Sequence, residues 1–90
     1  MTGKLGMNPE EVRQLARQMD DTAGQIEDLM NRVTQKLSGT TWEGNDRRQF
    51  ESTWQSDSVR QLQQVKQLLT EAANKARTNA QDQESTSNRI

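Results

Sequence analysis

Residues 37–45, LSGTTWEGN, separate two long helical patterns near the middle of the chain. Gly39 suits the position just after a helix C-terminus, because glycine reaches the left-handed backbone region without a steric penalty. The stretch contains a second glycine, Gly44, before helical periodicity resumes at about residue 46. The sequence therefore predicts a helix, a turn over about residues 39–45 and a second helix.

The first helix has a well-marked start at residue 9. Asn8 can serve as the N-cap, and Pro9 stands at the first helical position, where its missing N–H is not needed. Glu11 follows Asn8 at the spacing of a capping box. We therefore expect the first helix over about residues 9–38, preceded by a flexible N-terminus over residues 1–7.

Apolar residues of the first helix recur at heptad-like spacing and form one wide stripe. Three neighbouring rows compose it: Val12, Met19, Ile26 and Val33; Leu15, Thr22 and Leu29; Ala16, Ala23, Met30 and Leu37. The positions between them are polar and are expected to face solvent; they include Arg13, Asp20 and Glu27. A stripe of this width is typical of a helix that packs in a bundle.

The second helix is expected over about residues 46–80, and together the two helices make a helical hairpin domain over residues 8–80. Large apolar residues of the second helix lie near the turn, and alanines replace them toward the far end. Residues 81–89 contain no apolar side chain, so we expect a fraying helix end and a flexible polar tail over residues 81–90.

The predicted fold class is all-α, an antiparallel two-helix hairpin. Hydrophobic residues make up 29% of the chain, below the roughly 45–50% of ordinary globular domains, and one hairpin cannot enclose a wide stripe on both helices. Two hairpins that pair as a four-helix bundle dimer would cover this surface. The residues expected in the hairpin core or the dimer interface are Leu15, Met19, Ile26, Leu29, Val33, Phe50, Trp54, Leu62, Val65 and Leu69.

Several classes of function have little support in the composition. The chain has no histidine and no cysteine, so the commonest general base and the best nucleophile are missing; we expect no enzyme, no cofactor and no metal site. Acidic and basic residues are interspersed at a net charge of −1, which does not favour nucleic-acid binding. Apolar runs are too short for stable membrane insertion, and residues 1–7 lack the apolar stretch of a secretory signal peptide.

The most specific motif lies in the turn. Trp42 and Gly44 form a Trp-x-Gly motif, and Phe50 and Trp54 follow it in the second helix. In its helix, Trp-x-Gly turn, helix and polar tail, the chain resembles the WXG-motif family of small type VII secretion substrates, the early-secreted-antigen-like (ESAT-like) proteins. The resemblance implies helical hairpins that pair as homodimers or heterodimers, so the partner would be a second copy or a paralogous Trp-x-Gly protein.

The resemblance also implies a route of export. An FtsK/SpoIIIE-type export ATPase would recognise the dimer in the cytoplasm, and the protein would reach the outside without a cleaved signal peptide. The family's second motif is Tyr-x-x-x-Asp/Glu after the second helix, but this chain has no tyrosine. Its nearest counterpart is Ala80-x-x-x-Glu84, with Gln83 in a variant pattern and Ile90 as a further candidate for contact with the ATPase.

Three functions remain open at this point. The chain is a secreted substrate, or it is an intracellular adaptor that pairs with a larger toxin or a second Trp-x-Gly protein for export. The missing tyrosine favours the adaptor, because the partner would then supply it. The third function is a generic dimeric helical scaffold in which the Trp-x-Gly sequence arose by chance.

Overall fold

A computed structural model describes residues 6–88 of the chain, which form two antiparallel helical arms joined by a turn. The first arm is helix α1, Pro9–Ser38. The second arm consists of helix α2, Asn45–Thr53, a π-turn, Trp54–Ser58, and helix α3, Val59–Asn88. The hairpin is a rod of 68 × 18 × 14 Å. The all-α hairpin predicted from the sequence is confirmed.

The start of α1 follows from its first residues. The Asn8 side-chain oxygen accepts hydrogen bonds from the backbone N–H groups of Glu10, at 3.0 Å, and Glu11, at 3.2 Å. These bonds satisfy two donors that have no partner within the helix. Pro9 occupies the first turn, as the sequence predicts.

The end of α1 differs from the expectation. Gly39 has a φ of −89°, so the prediction of a left-handed glycine after the helix is wrong. The terminal carbonyl groups are satisfied in another way, because the Gly39 N–H donates to the Gln35 carbonyl at 3.0 Å and the Thr40 N–H donates to the Leu37 carbonyl at 3.3 Å. Hydrogen bonds of the turn itself therefore replace the left-handed cap.

The glycine of the Trp-x-Gly turn has a backbone role. Gly44 has φ +116° and ψ −174° and directly precedes α2, in a region of backbone space that is essentially restricted to glycine. A Cβ atom at Gly44 would meet no atom within 4 Å. The backbone conformation, rather than a lack of space, therefore requires glycine here.

The second arm continues beyond its expected end. Residues 81–88 are helical, so the prediction of a flexible tail that begins at residue 81 is wrong over this range. The segment QDQESTSN contains no glycine or proline to end the helix, and Glu84 pairs with Arg13 of α1. Residues 1–5 of the expected flexible N-terminus and residues 89–90 lie outside the described part of the chain.

The core between the two arms is narrow and consists mostly of small side chains. Its buried members are Ala16, Ala23, Met30 and Leu37 of the first arm and Trp54, Ala73 and Ala80 of the second. The α1 members are seven residues apart and belong to the row that was expected only to widen the apolar stripe. Because alanine side chains are short, the two helix axes can approach closely near Ala16 and Ala23, whereas the larger Met30 and Leu37 occupy the core nearer the turn.

Ion pairs close one side of the hairpin. Arg13, Asp20 and Glu27 were expected to face solvent, but each pairs with α3. The pairs are Arg13–Glu84, Asp20–Arg77 at 2.9 Å and Glu27–Lys66 at 2.9 Å. The α1 members follow each other at seven-residue intervals, so all three pairs lie on the same side, which we call the ion-pair face.

The order of charges on the ion-pair face favours a single register of the two arms. A slip of seven residues in one direction would bring Arg13 opposite Arg77, and a slip in the other direction would bring Asp20 opposite Glu84. Both alternatives juxtapose like charges, which is unfavourable across a helix contact. Each pair is partly exposed and contributes little alone, but the pattern disfavours the wrong registers.

Substitution by alanine should have opposite effects on stability at Gly44, before α2, and at Gly24, within α1. We expect Gly44→Ala to lower the free energy of unfolding by about 1–3 kcal/mol, because alanine must adopt the strained backbone of position 44. Gly24 lies on an exposed side of α1 with open space around it, so Gly24→Ala should raise stability by about 0.5–1 kcal/mol. Urea unfolding at one protein concentration measures both. Equal stability of Gly44→Ala and wild type would contradict the backbone role.

The Arg13–Glu84 pair predicts a pH effect at the open end of the hairpin. The hydrogen bond from Arg13, with a smaller contribution from its charge, lowers the pKa of Glu84 below its ordinary value. The pair therefore stabilises the folded state fully above the pKa that Glu84 has in the unfolded chain, and this contribution disappears as the pH falls through the lowered pKa. In a carboxyl-carbon NMR titration, Arg13→Gln should raise the Glu84 midpoint. An unchanged midpoint would contradict the pairing.

Candidate functional site

A broad apolar surface runs along one side of the hairpin. Leu15 and Leu29 of α1 are 49% and 47% exposed, and Val65 and Leu68 of α3 are 45% and 65% exposed. We call these side chains, together with the half-buried ones beside them, the apolar face. The half-buried members are Val12, Met19, Ile26, Val33, Leu62 and Leu69.

Helix geometry places both halves of the apolar face on the same side of the rod. At about 100° per residue, Leu15 lies about 100° to one side of buried Ala16, and Arg13 lies about 60° to the other side. On α3, Val65 lies about 80° to one side of buried Ala73, and Arg77 about 40° to the other. Since the ion pairs join the two charged sides, the two apolar sides must share the opposite side of the hairpin.

The residues predicted for the core and the interface divide into three groups in the hairpin. Trp54 is buried. Five side chains are half-buried: Met19, Ile26, Val33, Leu62 and Leu69. Four are exposed: Leu15, Leu29, Phe50 and Val65. Leu68, the most exposed of the large hydrophobic residues, was not among the predicted ones; its place beside Leu69 in the sequence sets it about 100° further round the helix.

An aromatic cluster occupies the turn end of the rod. The ring of Trp42 lies 6.1 Å from that of Phe50, and Phe50 is stacked on Trp54 at 6.2 Å between centroids. Trp54 is buried and its Nε1–H donates to the Thr34 hydroxyl at 3.0 Å. Trp42 and Phe50 are about two-fifths exposed. The cluster therefore anchors the turn at its inner end and presents aromatic surface at its outer end.

An open groove adjoins the exposed rings. It has a volume of about 260 Å³ and is lined by Val33, Lys36, Leu37, Thr40, Trp42 and Phe50. Arg47 holds the turn beside the groove, because its Nη1 donates to the Trp42 carbonyl oxygen at 3.0 Å while its Nη2 lies 3.6 Å from Glu51. Nothing in the sequence pattern identified Arg47 as the residue that fixes Trp42.

The residues proposed as an export signal do not form one exposed patch. Ala80 is fully buried against α1, and Glu84 is exposed but paired with Arg13. Gln83 is half-buried, and Ile90 lies outside the described residues. Ala80, the proposed counterpart of the family's tyrosine, is thus part of the hairpin core, where a ring of that size would not fit without separating the helices.

Residues 6–88 contain no candidate for two other kinds of site. No group of three or more histidine, cysteine, aspartate or glutamate side chains in this part of the chain could hold a metal ion. The helices that the structure describes include none with the length and apolar character needed to cross a membrane.

Comparison with known proteins identifies the family. The model of the WXG100 family, described as proteins of 100 residues with WXG, matches residues 4–87, which include both helical arms and the Trp-x-Gly turn. Neither a curated protein nor a solved structure matches the chain. The family match extends over most of the chain and agrees with the helical hairpin. The chain belongs to the WXG100 family, whose members are secreted helical proteins and substrates of type VII secretion.

Proposed function

We propose that this protein is a non-enzymatic substrate that a type VII system exports as a dimer of hairpins. An FtsK/SpoIIIE-type ATPase recognises the dimer in the cytoplasm, and the protein reaches the outside without a cleaved signal peptide. The observation that carries the proposal is the apolar face, which the hairpin leaves exposed along both arms. Large contiguous apolar patches on soluble proteins mark interaction sites.

The shape of the hairpin supports a dimer in which the two turn ends point in opposite directions. The turn end carries the bulky side chains Trp42, Phe50 and Trp54, whereas alanines such as Ala72 and Ala76 occupy α3 toward the far end. An antiparallel arrangement packs the wide end of one copy against the narrow end of the other. Such alternation of large and small residues fills a bundle core without voids.

The charged side of the hairpin supports the same choice of interface. Arg13, Asp20 and Glu27 already have partners within the chain on the ion-pair face, so docking there would require removing three ion pairs from water. Removal of charged groups from water is unfavourable, whereas coverage of Leu29 and Val65 is favourable. A partner hairpin, either a second copy or a paralogous Trp-x-Gly protein, is therefore placed on the apolar face.

An adaptor function is the second candidate, and Ala80 favours it. The family's second motif requires a tyrosine where this chain has a buried alanine. A heterodimer partner, either a larger toxin or another Trp-x-Gly protein, would then carry the complete motif. In this version the chain supplies half of the bundle and the Trp-x-Gly turn, and the partner supplies the second part of the export signal.

Substitutions on opposite sides of α3 test the interface. Val65→Glu places a charge on the apolar face, and Gln63→Glu places the same charge on an exposed position of the ion-pair side. Burial of a valine contributes about 1.5–3 kcal/mol, and a symmetric dimer contains the residue twice, so Val65→Glu should raise the dimer Kd on the order of 100-fold or more. Gln63→Glu should leave the Kd within about a factor of three.

Sedimentation equilibrium of the purified chains gives the Kd, and circular dichroism checks that each variant remains helical. A wild-type protein that stays a stable single hairpin at high concentration would contradict self-association and would leave only a heterologous partner. Dimers of Val65→Glu with the wild-type Kd would show that the interface lies elsewhere.

Secretion itself is tested with the export ATPase. The protein should accumulate outside cells that carry an intact type VII system and remain inside when the ATPase gene is deleted. Export of Val65→Glu should fall together with dimer formation, while Gln63→Glu should be exported like wild type. Undiminished extracellular protein in the deletion strain refutes the proposal. A protein that stays inside while it raises the export of a co-expressed partner is an adaptor.

A further inference from the structure

A single π-turn interrupts the otherwise regular second arm. The Val59 N–H donates to the carbonyl oxygen of Trp54, five residues earlier, where an α-helix would use a partner four residues earlier. Residues 55–57 in the middle of this turn are exposed. π-turns are rare and often occur at functional positions in helices. We therefore consider what causes this one.

The helical phase of the second arm supplies that cause. Ala73 and Ala80 are buried against α1, and Ala73 lies nineteen positions after Trp54. At about 100° per residue, an uninterrupted α-helix would turn Trp54 about 100° away from the direction of Ala73. Nevertheless Trp54 is only 9% exposed, and its indole N–H reaches Thr34 of α1.

The π-turn removes this difference in phase. It accommodates one residue more than an α-helical turn does, and one residue corresponds to about 100° of rotation. Trp54 therefore returns to the direction of Ala73. The segment before it rotates as a unit, so Phe50, stacked on Trp54 at 6.2 Å, and Trp42, at 6.1 Å from Phe50, keep their mutual contacts and turn together with Trp54.

The alternative register would give Trp54 a different role. If the second arm were α-helical throughout, Trp54 would lie about 100° from Ala73, on the same side as Val65 at about 80°. Its ring would then be part of the apolar face, and the contact with Thr34 would be lost. The π-turn thus assigns Trp54 to the hairpin core instead of the docking surface.

We infer that burial of Trp54 maintains the π-turn and thereby the one additional residue that the turn accommodates. We call this arrangement, in which the π-turn sets the rotational register of the segment before it, the register device. Release of Trp54 lets Trp54–Ser58 relax to α-helix and rotates α2 by about 100°, which moves aromatic surface from the turn end to the apolar face. The local sequence provides a competing cause, because the Ser56 hydroxyl donates to the Ser52 carbonyl at 2.6 Å and such bonds disturb helices.

Deletion of one residue distinguishes the register device from a π-turn caused by the local sequence. Removal of Ser56 shortens the separation of Trp54 and Ala73 from nineteen to eighteen positions, or five full turns at about 100° per residue, so that a regular α-helix now points both at α1. We expect Trp54 to stay buried and Tm to rise on the order of 4–8 °C at equal protein concentration. In a Trp42→Phe background the fluorescence reports Trp54 alone. An emission maximum that shifts to the red, or a lower Tm, overturns the inference.

A double-mutant cycle tests whether Trp54 holds the surplus residue. Trp54→Ala removes the anchor and lets the π-turn relax, so deletion of Ser56 should raise Tm in the wild type but not in Trp54→Ala. The control Ser56→Ala keeps the chain length and removes only the local hydrogen bond; its Trp54 emission should match the wild type. An equal rise in Tm on deletion of Ser56 in both backgrounds would assign the π-turn to the local sequence and overturn the inference. Exposure of Trp54 to water in Ser56→Ala would do the same. These readouts do not depend on export.

Discussion

The close packing of short side chains between the two arms is the constraint on which the hairpin depends. Ala16, Ala23, Ala73 and Ala80 are buried, and their small volume lets the helices approach along one narrow row. Larger side chains in the neighbouring rows are only half-buried, such as Met19 and Ile26, or exposed, such as Leu15 and Leu29. The contact that forms the hairpin therefore leaves the apolar face on its surface.

The two sides of this contact have opposite character. Three ion pairs, in which α1 contributes one basic and then two acidic residues, close one side and disfavour slipped registers, while the other side presents aliphatic side chains such as Leu29 and Val65. A polar closed side and an apolar open side favour the apolar side as the interface of the proposed dimer. Membership of the WXG100 family agrees with this division, since its proteins typically work with a partner.

The turn end joins the two arms through backbone and aromatic packing. Gly44 supplies a conformation that other residues reach only with strain, and Arg47 holds the carbonyl of Trp42. The stacked rings then connect the Trp-x-Gly turn to the buried indole of Trp54. In the inferred register device, this connection links the position of the turn to the phase of the whole second arm.

Local rules were sufficient for much of this molecule. Side-chain chemistry and the helical period, both readable from the order of residues, predict the cap at Asn8 and the break at the Trp-x-Gly turn. They also predict the all-α hairpin and its surplus of apolar surface. The choice among three adjacent apolar rows was decided by tertiary contact, because the rows span a wide arc and packing against the second arm determines that the row from Ala16 to Leu37 is the buried one. The pairing of Arg13 with Glu84, which adds to the local lack of helix breakers over residues 81–88, depends on residues far apart in the chain that no local pattern brings together. The inferred register device gives the π-turn the same kind of origin.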